Sequence, residues 1–428
     1  MIFILFLIIL INFYYGLKLP QRLNPIILFS GGFLLASAVC ILYRKEWEMD
    51  SLRASTLILI GGGISCFSLF SYITNRHFRI KYPNQDLVLQ TLKFPPKYLI
   101  VLIFINFLCN YLVYKQIISY SISTDLSTAI SEIDHDYKYG EAEFQLPFLL
   151  RNIKFLMEVI CYYLMMSLAR YLAINKFDYF ALLHSIYIII SVAGGFLTGS
   201  RGGSMTMIIY FIICYLSIKD RLIESSQLPK VSYIKIAIVF ILTILLFYFS
   251  TEFIGRSTED FGVYYLAFYG GAEIKNLDIF INSVNIPETK YFGEYTFSSI
   301  YNLFDSTIKF NKDILGFNWV GNFMLGNVYT CFQNYYIDFG IIGTFIIVSI
   351  IAIAIQYLFI KVNNSTVLNY SFFDFKLFLY AFVGRKLALS FFSESAISMI
   401  NMGSIKMCIE IFLISIITNK LLGLKEQY

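Results

Sequence analysis

Residues 180–218 read FALLHSIYIIISVAGGFLTGSRGGSMTMIIYFIICYLSI: two apolar runs, 180–199 and 204–218, parted by a turn of a few residues. Each run is long enough to cross, or nearly cross, the ~30 Å hydrocarbon layer of a bilayer as a helix. The pair therefore reads as a transmembrane hairpin with its turn at a membrane face. In that turn Arg201 is flanked by Gly199, Gly202 and Gly203, with Ser200 and Ser204 beside it. Glycine lets backbone N–H groups approach a ligand, and the helix that begins here directs its positive end outward. Arginine adds a planar fork of donors matched to phosphate oxygens. Such a turn is an anion socket, or else a hairpin whose arginine snorkels to the headgroups.

The rest of the chain follows the same pattern. Its 428 residues are 58% hydrophobic, 18% aromatic and only 14% charged, with a mean hydropathy of +0.68. Soluble domains carry about 25% charged residues, so the composition indicates an all-α polytopic membrane protein, residues 1–428 forming one membrane domain. About eleven spans are predicted, near 2–16, 24–42, 54–74, 98–118, 148–171, 180–198, 204–218, 234–251, 339–360, 376–398 and 403–420. Residues 1–16 lack a basic start and a small-residue cleavage site, and read as a first span, not a removed signal. Gly31–Gly32 and Gly61–Gly63 are expected to let helices pack closely. The basic residues are dispersed and form no nucleic-acid stripe. The seven cysteines suggest neither a disulfide framework nor a zinc site.

Orientation follows from charge. Residues 75–97 carry Arg76, Arg79, Lys81, Lys93 and Lys97 against Asp86, and 219–235 carry Lys219, Arg221, Lys230 and Lys235. Both are expected in the cytoplasm. The Arg201 turn, the acidic segment 119–147 and the long segment 252–338 then face outward. The last is too rich in Tyr, Phe, Ile and Leu to be disordered. It should fold as a cap, with interfacial helices near Val263–Phe268 and Ile274–Ile281.

Two stretches of this outward region are distinctive. Tyr291–Leu303 reads Y-F-G-E-Y-T-F-S-S-I-Y-N-L, and Gly326–Gly343 reads G-N-V-Y-T-C-F-Q-N-Y-Y-I-D-F-G-I-I-G. With T-G-S-R-G-G, in this order and beside a large outward loop, they resemble O-antigen polymerases of the Wzy type. The resemblance covers about half of the chain and rests most on N-V-Y-T followed by Y-Y-x-D-F-G-x-x-G. It implies a GT-C-like multi-span glycosyltransferase of a bacterial inner membrane whose outward face is periplasmic. The partners it implies are an undecaprenyl-diphosphate-linked oligosaccharide donor, a lipid-linked acceptor, the bilayer, and a chain-length regulator protein.

That reaction needs the diphosphate held and neutralised while an acceptor hydroxyl is aligned. Arg201 fits by position, and Arg256 follows the eighth span at similar depth. Arg151 and Lys154 share a face at the outward end of the fifth span, where they could also be plain helix-end anchors. Asp338 is the first candidate base, or an ordinary N-cap of the ninth span; Glu294 and Glu273 follow. His77 and His184 fall on the cytoplasmic side, which leaves only His135 outward. Asp134-His135-Asp136 reads as a solvated charge run, and no metal or cofactor is expected. Arg385 and Lys386 lie near the middle of the tenth span, where charge is costly; either they face a cavity or the span is broken there. Two rival classes share many of these features: an O-antigen ligase, and a lipid-linked oligosaccharide flippase.

Overall fold

The computed structural model describes the chain outside residues 20, 81–94, 122, 124, 140–143, 198, 200, 227–244, 246–247, 250, 252–263, 284–285, 306–316, 366–372, 395 and 422–428, and outside the side chains of 134–139, 201 and 223–226. Among the described residues there are fourteen α-helices and one β-hairpin. In order they are α1 (Ile2–Leu17), α2 (Pro25–Leu42), α3 (Ala54–Phe78), α4 (Pro96–Tyr120), α5 (Leu126–Tyr139), α6 (Phe148–Ile174), α7 (Tyr179–Phe196) and α8 (Arg201–Ser226). Then follow α9 (Tyr264–Gly270), α10 (Ala272–Ile281), α11 (Ser298–Phe304), β1 (Asn318–Val320), β2 (Phe323–Gly326), α12 (Phe332–Asn363), α13 (Phe375–Leu387) and α14 (Met402–Leu421). Eight of these helices are long and apolar enough to cross a membrane: α2, α3, α4, α6, α7, α8, α12 and α14. The chain is a multi-pass membrane protein.

α1, expected at 2–16, is present as an apolar helix of 16 residues, shorter than the eight above. One expected span differs. The tenth span, expected at 376–398, is helical only to Leu387 and then proceeds through turns. The eighth, 234–251, and the basic loops 75–97 and 219–235 lie largely outside the described residues.

The described chain gathers into two compact units. The first comprises Met1–Tyr82, Val263–Asn364 and Phe382–Lys406. Its centre is the packing of α3 on α12 and of α1 on α2 and α3. The glycines of α3 make this possible: a Cβ on Gly62 would stand 2.6 Å from the Phe345 ring, and one on Gly63 2.4 Å from the Phe332 ring. The rings of α12 lie directly on the α3 backbone, the close approach that small residues permit in membranes. Asn24, N-cap of α2, accepts from the Ile27 N–H at 3.2 Å and donates to the Gly16 carbonyl at 2.9 Å, closing the α1–α2 hairpin. α3 has no cap of its own. Asp278 of α10 supplies one, accepting from the Arg53 N–H at 3.0 Å and the Thr56 hydroxyl at 2.6 Å. Asn276 of the same helix donates to the carbonyls of Leu325 and Val328, at 2.7 and 2.9 Å, and so fixes the end of the β-hairpin. The two short helices expected at 263–268 and 274–281 are thus present as α9 and α10, and α10 bonds to both α3 and the hairpin.

The second unit comprises Pro83–Gly262, Ser365–Ala381 and Met407–Tyr428. α6 is its axis, packed on α4, α7 and α8; its stretch Cys161–Tyr171 is buried throughout. Helix ends are closed by lysines: Lys154 donates to the Gly194 carbonyl in the last turn of α7 at 2.7 Å, and Lys219 to the Ala173 carbonyl at the end of α6 at 2.8 Å. These carbonyls have no acceptor role inside their own helices, so each ammonium satisfies an orphan group at a negative helix end. α5 is amphipathic and lays Ala129, Ile130 and Ile133 against Val113 and Ile117 of α4 and Phe196 of α7.

Candidate functional site

α12 has 32 residues, about 48 Å at 1.5 Å per residue and too long for a ~30 Å layer. It is divided at Gly340, whose φ of 63° and ψ of −165° lie in a region open to glycine alone. The piece 332–339 therefore turns away from the spanning piece 341–363 and becomes a platform. On it sits the stretch 290–297. Asp338 accepts from the Thr296 N–H at 2.6 Å and the Tyr295 N–H at 3.2 Å. Thr296 donates its hydroxyl to the Asn334 carbonyl at 3.3 Å, and the Asn334 amide donates to the Tyr295 carbonyl at 3.4 Å. Phe339 packs with Phe292 and Phe297, ring centroids 5.2 and 5.9 Å apart. Glu294, buried, accepts from the Lys290 N–H at 2.7 Å and the Tyr291 N–H at 3.3 Å. A Cβ on Gly293, at φ 65°, would strike the Phe297 ring at 2.3 Å and the Phe339 ring at 3.0 Å.

The structure thus joins Asp338 and Glu294. Asp338 is not the N-cap of its helix: Cys331 holds that position and Asp338 lies a further two turns along. Its carboxylate instead terminates a different segment. Each of the two carboxylates receives two backbone N–H groups, which holds the loop in a fixed conformation.

A third carboxylate, absent from the sequence candidates, completes the platform. Glu394 accepts from the N–H groups of Ile397 and Ser398, at 2.7 and 3.2 Å, and from the Tyr335 hydroxyl at 3.2 Å. In the sequence it lies inside the expected tenth span, 376–398, two turns beyond Arg385 and Lys386, and nothing there signals that it would bond to a loop of its own. Beside it, α13 ends in Arg385 and Lys386. The Arg385 guanidinium lies 4.0 Å from the Phe382 ring centroid, and its Nε donates to the Phe382 carbonyl at 3.2 Å. No family model, curated protein or solved structure matches this chain.

Glu273, the third candidate base, begins α10 and is 1% exposed. Neither carboxylate oxygen has a hydrogen-bond partner among the described residues. Burial pushes its carboxyl well above the ordinary carboxylate range, outweighing the favourable helix N-terminus.

The cationic candidates lie in the second unit or outside the described residues. Arg201 is the first residue of α8, so the helix starts three residues before the run 204–218 and takes in Arg201, which the sequence placed in the turn; its side chain is outside the described set, as is Arg256. Ser204 donates to the Val192 carbonyl at 2.8 Å and so ties the start of α8 to α7. Arg151 is exposed on the first turn of α6 and lies 6.0 Å from the Phe148 ring centroid, as a helix-end anchor does. Lys154 is not on that surface with it. It lines a polar recess with Asn106, Asn110, Glu158 and Ser191, about one turn deeper. His184 is buried, its ring nitrogens placed on the Phe180 carbonyl and the Ser167 hydroxyl, at 3.0 and 3.3 Å. The side chains of Asp134, His135 and Asp136 in α5 are outside the described set. Among the described residues no cluster of His, Cys, Asp and Glu could hold a metal ion.

Proposed function

We propose that this protein is an O-antigen polymerase, a glycosyltransferase that joins undecaprenyl-diphosphate-linked oligosaccharide repeat units at the periplasmic face of a bacterial inner membrane. One observation carries the proposal. The two outward stretches on which the resemblance was read, 291–303 and 326–343, are one structural body, bonded through Asp338 and Asn334 and packed through Phe292, Phe297 and Phe339. Residues far apart in sequence have a shared reason to be spelled this way, and the body stands at the mouth of a span, where a lipid-linked sugar would arrive.

In the reaction, a hydroxyl oxygen of the acceptor attacks the anomeric carbon of the donor. The bond from that carbon to the diphosphate oxygen breaks, undecaprenyl diphosphate leaves, and the hydroxyl proton passes to a carboxylate. Arg201 and Arg256 would hold the diphosphate, with Arg151 as a further cation at the start of α6; Lys154, predicted from the sequence for the same role, sits about a turn deeper and donates to the Gly194 carbonyl. Asp338 remains the first candidate base and Glu294 the second. Their backbone partners give both a further role, that of shaping the turn on which the acceptor would rest.

Deletion of the gene and display of the lipopolysaccharide on a gel tests the proposal. A polymerase null is expected to leave core plus a single repeat unit, restored to long chains by the wild-type gene. Core alone would instead indicate a ligase or a flippase. A reporter at Lys290 that is active only in the cytoplasm would place the platform on the wrong side and end the proposal.

A further inference from the structure

α12 carries its own depth gauge. Lys361, exposed in the last turn, holds its ammonium 5.1 Å from the Tyr357 ring centroid. A cation beside an amphipathic ring is what settles at a membrane boundary. A ~30 Å layer takes about twenty residues of helix. Counted back from Lys361, that length ends beside Gly340, where the helix breaks. Between these two points Ile342, Ile346, Ile350, Ile353 and Tyr357 are exposed. At 3.6 residues per turn they fall within about 80° of one another. They face away from Thr344, Val348, Ala352, Ile355 and Phe359, which are buried. This stripe is the lipid-facing side of the span.

At the Gly340 end a loop continues the stripe. Phe339 lies over Gly343 in the first turn of the spanning piece, where only a hydrogen leaves room for it. Phe292 packs on Phe339 with centroids 5.2 Å apart and is 76% exposed, as much as Ile342. Tyr291 beside it is exposed, and the Tyr301 hydroxyl donates to the Phe292 carbonyl at 2.8 Å. The turn is clamped on both sides of this tip. Glu294 takes the N–H groups of Lys290 and Tyr291, and Asp338 those of Tyr295 and Thr296. A fixed backbone thus holds a large apolar ring outside the protein, at the end of a lipid-facing stripe. Lys290, Tyr291 and Phe292 run from charged to amphipathic to apolar. That is the order of environments from water through headgroups to acyl chains.

We infer that the 290–292 turn is a membrane wedge whose partner is the phospholipid bilayer. The Phe292 ring enters the acyl boundary of the leaflet at this end of α12, and Tyr291 lies among the headgroups. The inference rests on the geometry of the span and is independent of the reaction proposed above. It also sets the depth of the platform, because Glu294 and Asp338, bonded to the same turn, are held at headgroup level.

Tryptophan fluorescence of the full-length protein in dioleoylphosphatidylcholine vesicles tests this. The chain has two tryptophans, so Phe292→Trp adds a third, and the variant's emission minus that of the wild type reports on position 292. Part of the lipid is replaced by phosphatidylcholine brominated at the 6,7 or the 11,12 acyl positions. An interfacial apolar group reaches ~5–10 Å into the headgroup–acyl boundary, so the shallow bromines should quench the added emission about twofold more than the deep ones. Aqueous iodide should quench it little. Quenching by iodide and by neither brominated lipid overturns the wedge, since the ring is then in water. Quenching by none of the three also overturns it, since the ring is then covered by protein, a second copy included. Stronger quenching by the deep bromines refutes the placement at the boundary. If Phe292→Trp does not fold, 4-fluorophenylalanine at position 292 keeps nearly the native shape. Its fluorine resonance is expected to broaden with a nitroxide on the upper acyl chain and to ignore an aqueous gadolinium chelate; the reverse refutes the inference.

Discussion

Asp338→Asn changes one atom, and its effect can be worked from the geometry. The carboxylate receives the N–H groups of Tyr295 and Thr296, at 3.2 and 2.6 Å, one on each oxygen. An asparagine keeps a single acceptor, so its amide NH₂ must face one of these N–H groups, donor against donor. A hydrogen bond to a charged group contributes about 1.5–3 kcal/mol when buried. Asp338 is only half-buried, so water recovers part of this and about 1–2 kcal/mol is expected. At about 1.4 kcal/mol per factor of ten, the 290–297 turn should detach some 5- to 30-fold more often. Hydrogen–deuterium exchange of peptides covering 290–305, in nanodiscs, should show the amides of Tyr295 and Thr296 exchanging faster by that factor, while amides of α3 stay unchanged. Equal protection in the variant would refute the role given to Asp338. An N-cap would have tolerated asparagine, so the experiment separates the structure's assignment from that simpler one. It also means that loss of polymer in Asp338→Asn does not by itself identify a base; the exchange data must accompany it.

Gly340→Ala should cost about 1–3 kcal/mol, from backbone strain alone, since a Cβ there meets nothing within 4 Å; an unchanged thermal midpoint in detergent would mean that the α12 break does not need glycine. Arg201→Ala should lower polymerisation roughly 30- to 1000-fold, the loss of about 2–4 kcal/mol from one charge-assisted contact in a water-excluded site, with Arg201→Lys recovering little; normal long-chain lipopolysaccharide would leave Arg201 a headgroup anchor. Glu273 gives a pH dependence. Because its folded pKa is raised by burial, the folded chain holds a proton that the unfolded chain releases above the ordinary Glu value, near 4.3. Its contribution is present in full below that value and is lost as pH rises toward the folded pKa, by up to about 1.4 kcal/mol per pH unit. Melting at pH 5 and pH 8 should show the wild type losing stability relative to Glu273→Gln; parallel curves would show that the carboxyl is not held neutral.

Much of the fold was legible because hydropathy is a local property. The runs that became α2, α3, α4, α6, α7, α8, α12 and α14 announce themselves by length and composition. The glycines of α3 were readable as packing positions, since a residue without Cβ in an apolar run has few other uses. α9 and α10 followed from the aromatic content of the long segment 252–338, whereas α8 begins at Arg201, three residues before the apolar run read as its span. Side-chain partners were not legible in this way. Asp338 looked like a helix cap because a carboxylate near the start of a helix usually bonds that helix; here the bonded N–H groups lie more than forty positions upstream.

What the sequence determined alone was a set of membrane-spanning helices, since a run of apolar residues carries its preference for lipid with it whatever surrounds it. The tertiary structure decided where helices stop. Apolar character continues past Leu387 and gives no local reason to end α13, yet the chain leaves the helix there and its backbone groups find Cys331, Ser299 and Glu394. It likewise decided that Lys154 closes α7, that Asp278 caps α3, and that Glu294 and Asp338 hold one turn between them. A backbone hydrogen bond needs a partner within about 3 Å, and which residue arrives at that distance is set only when the helices have packed.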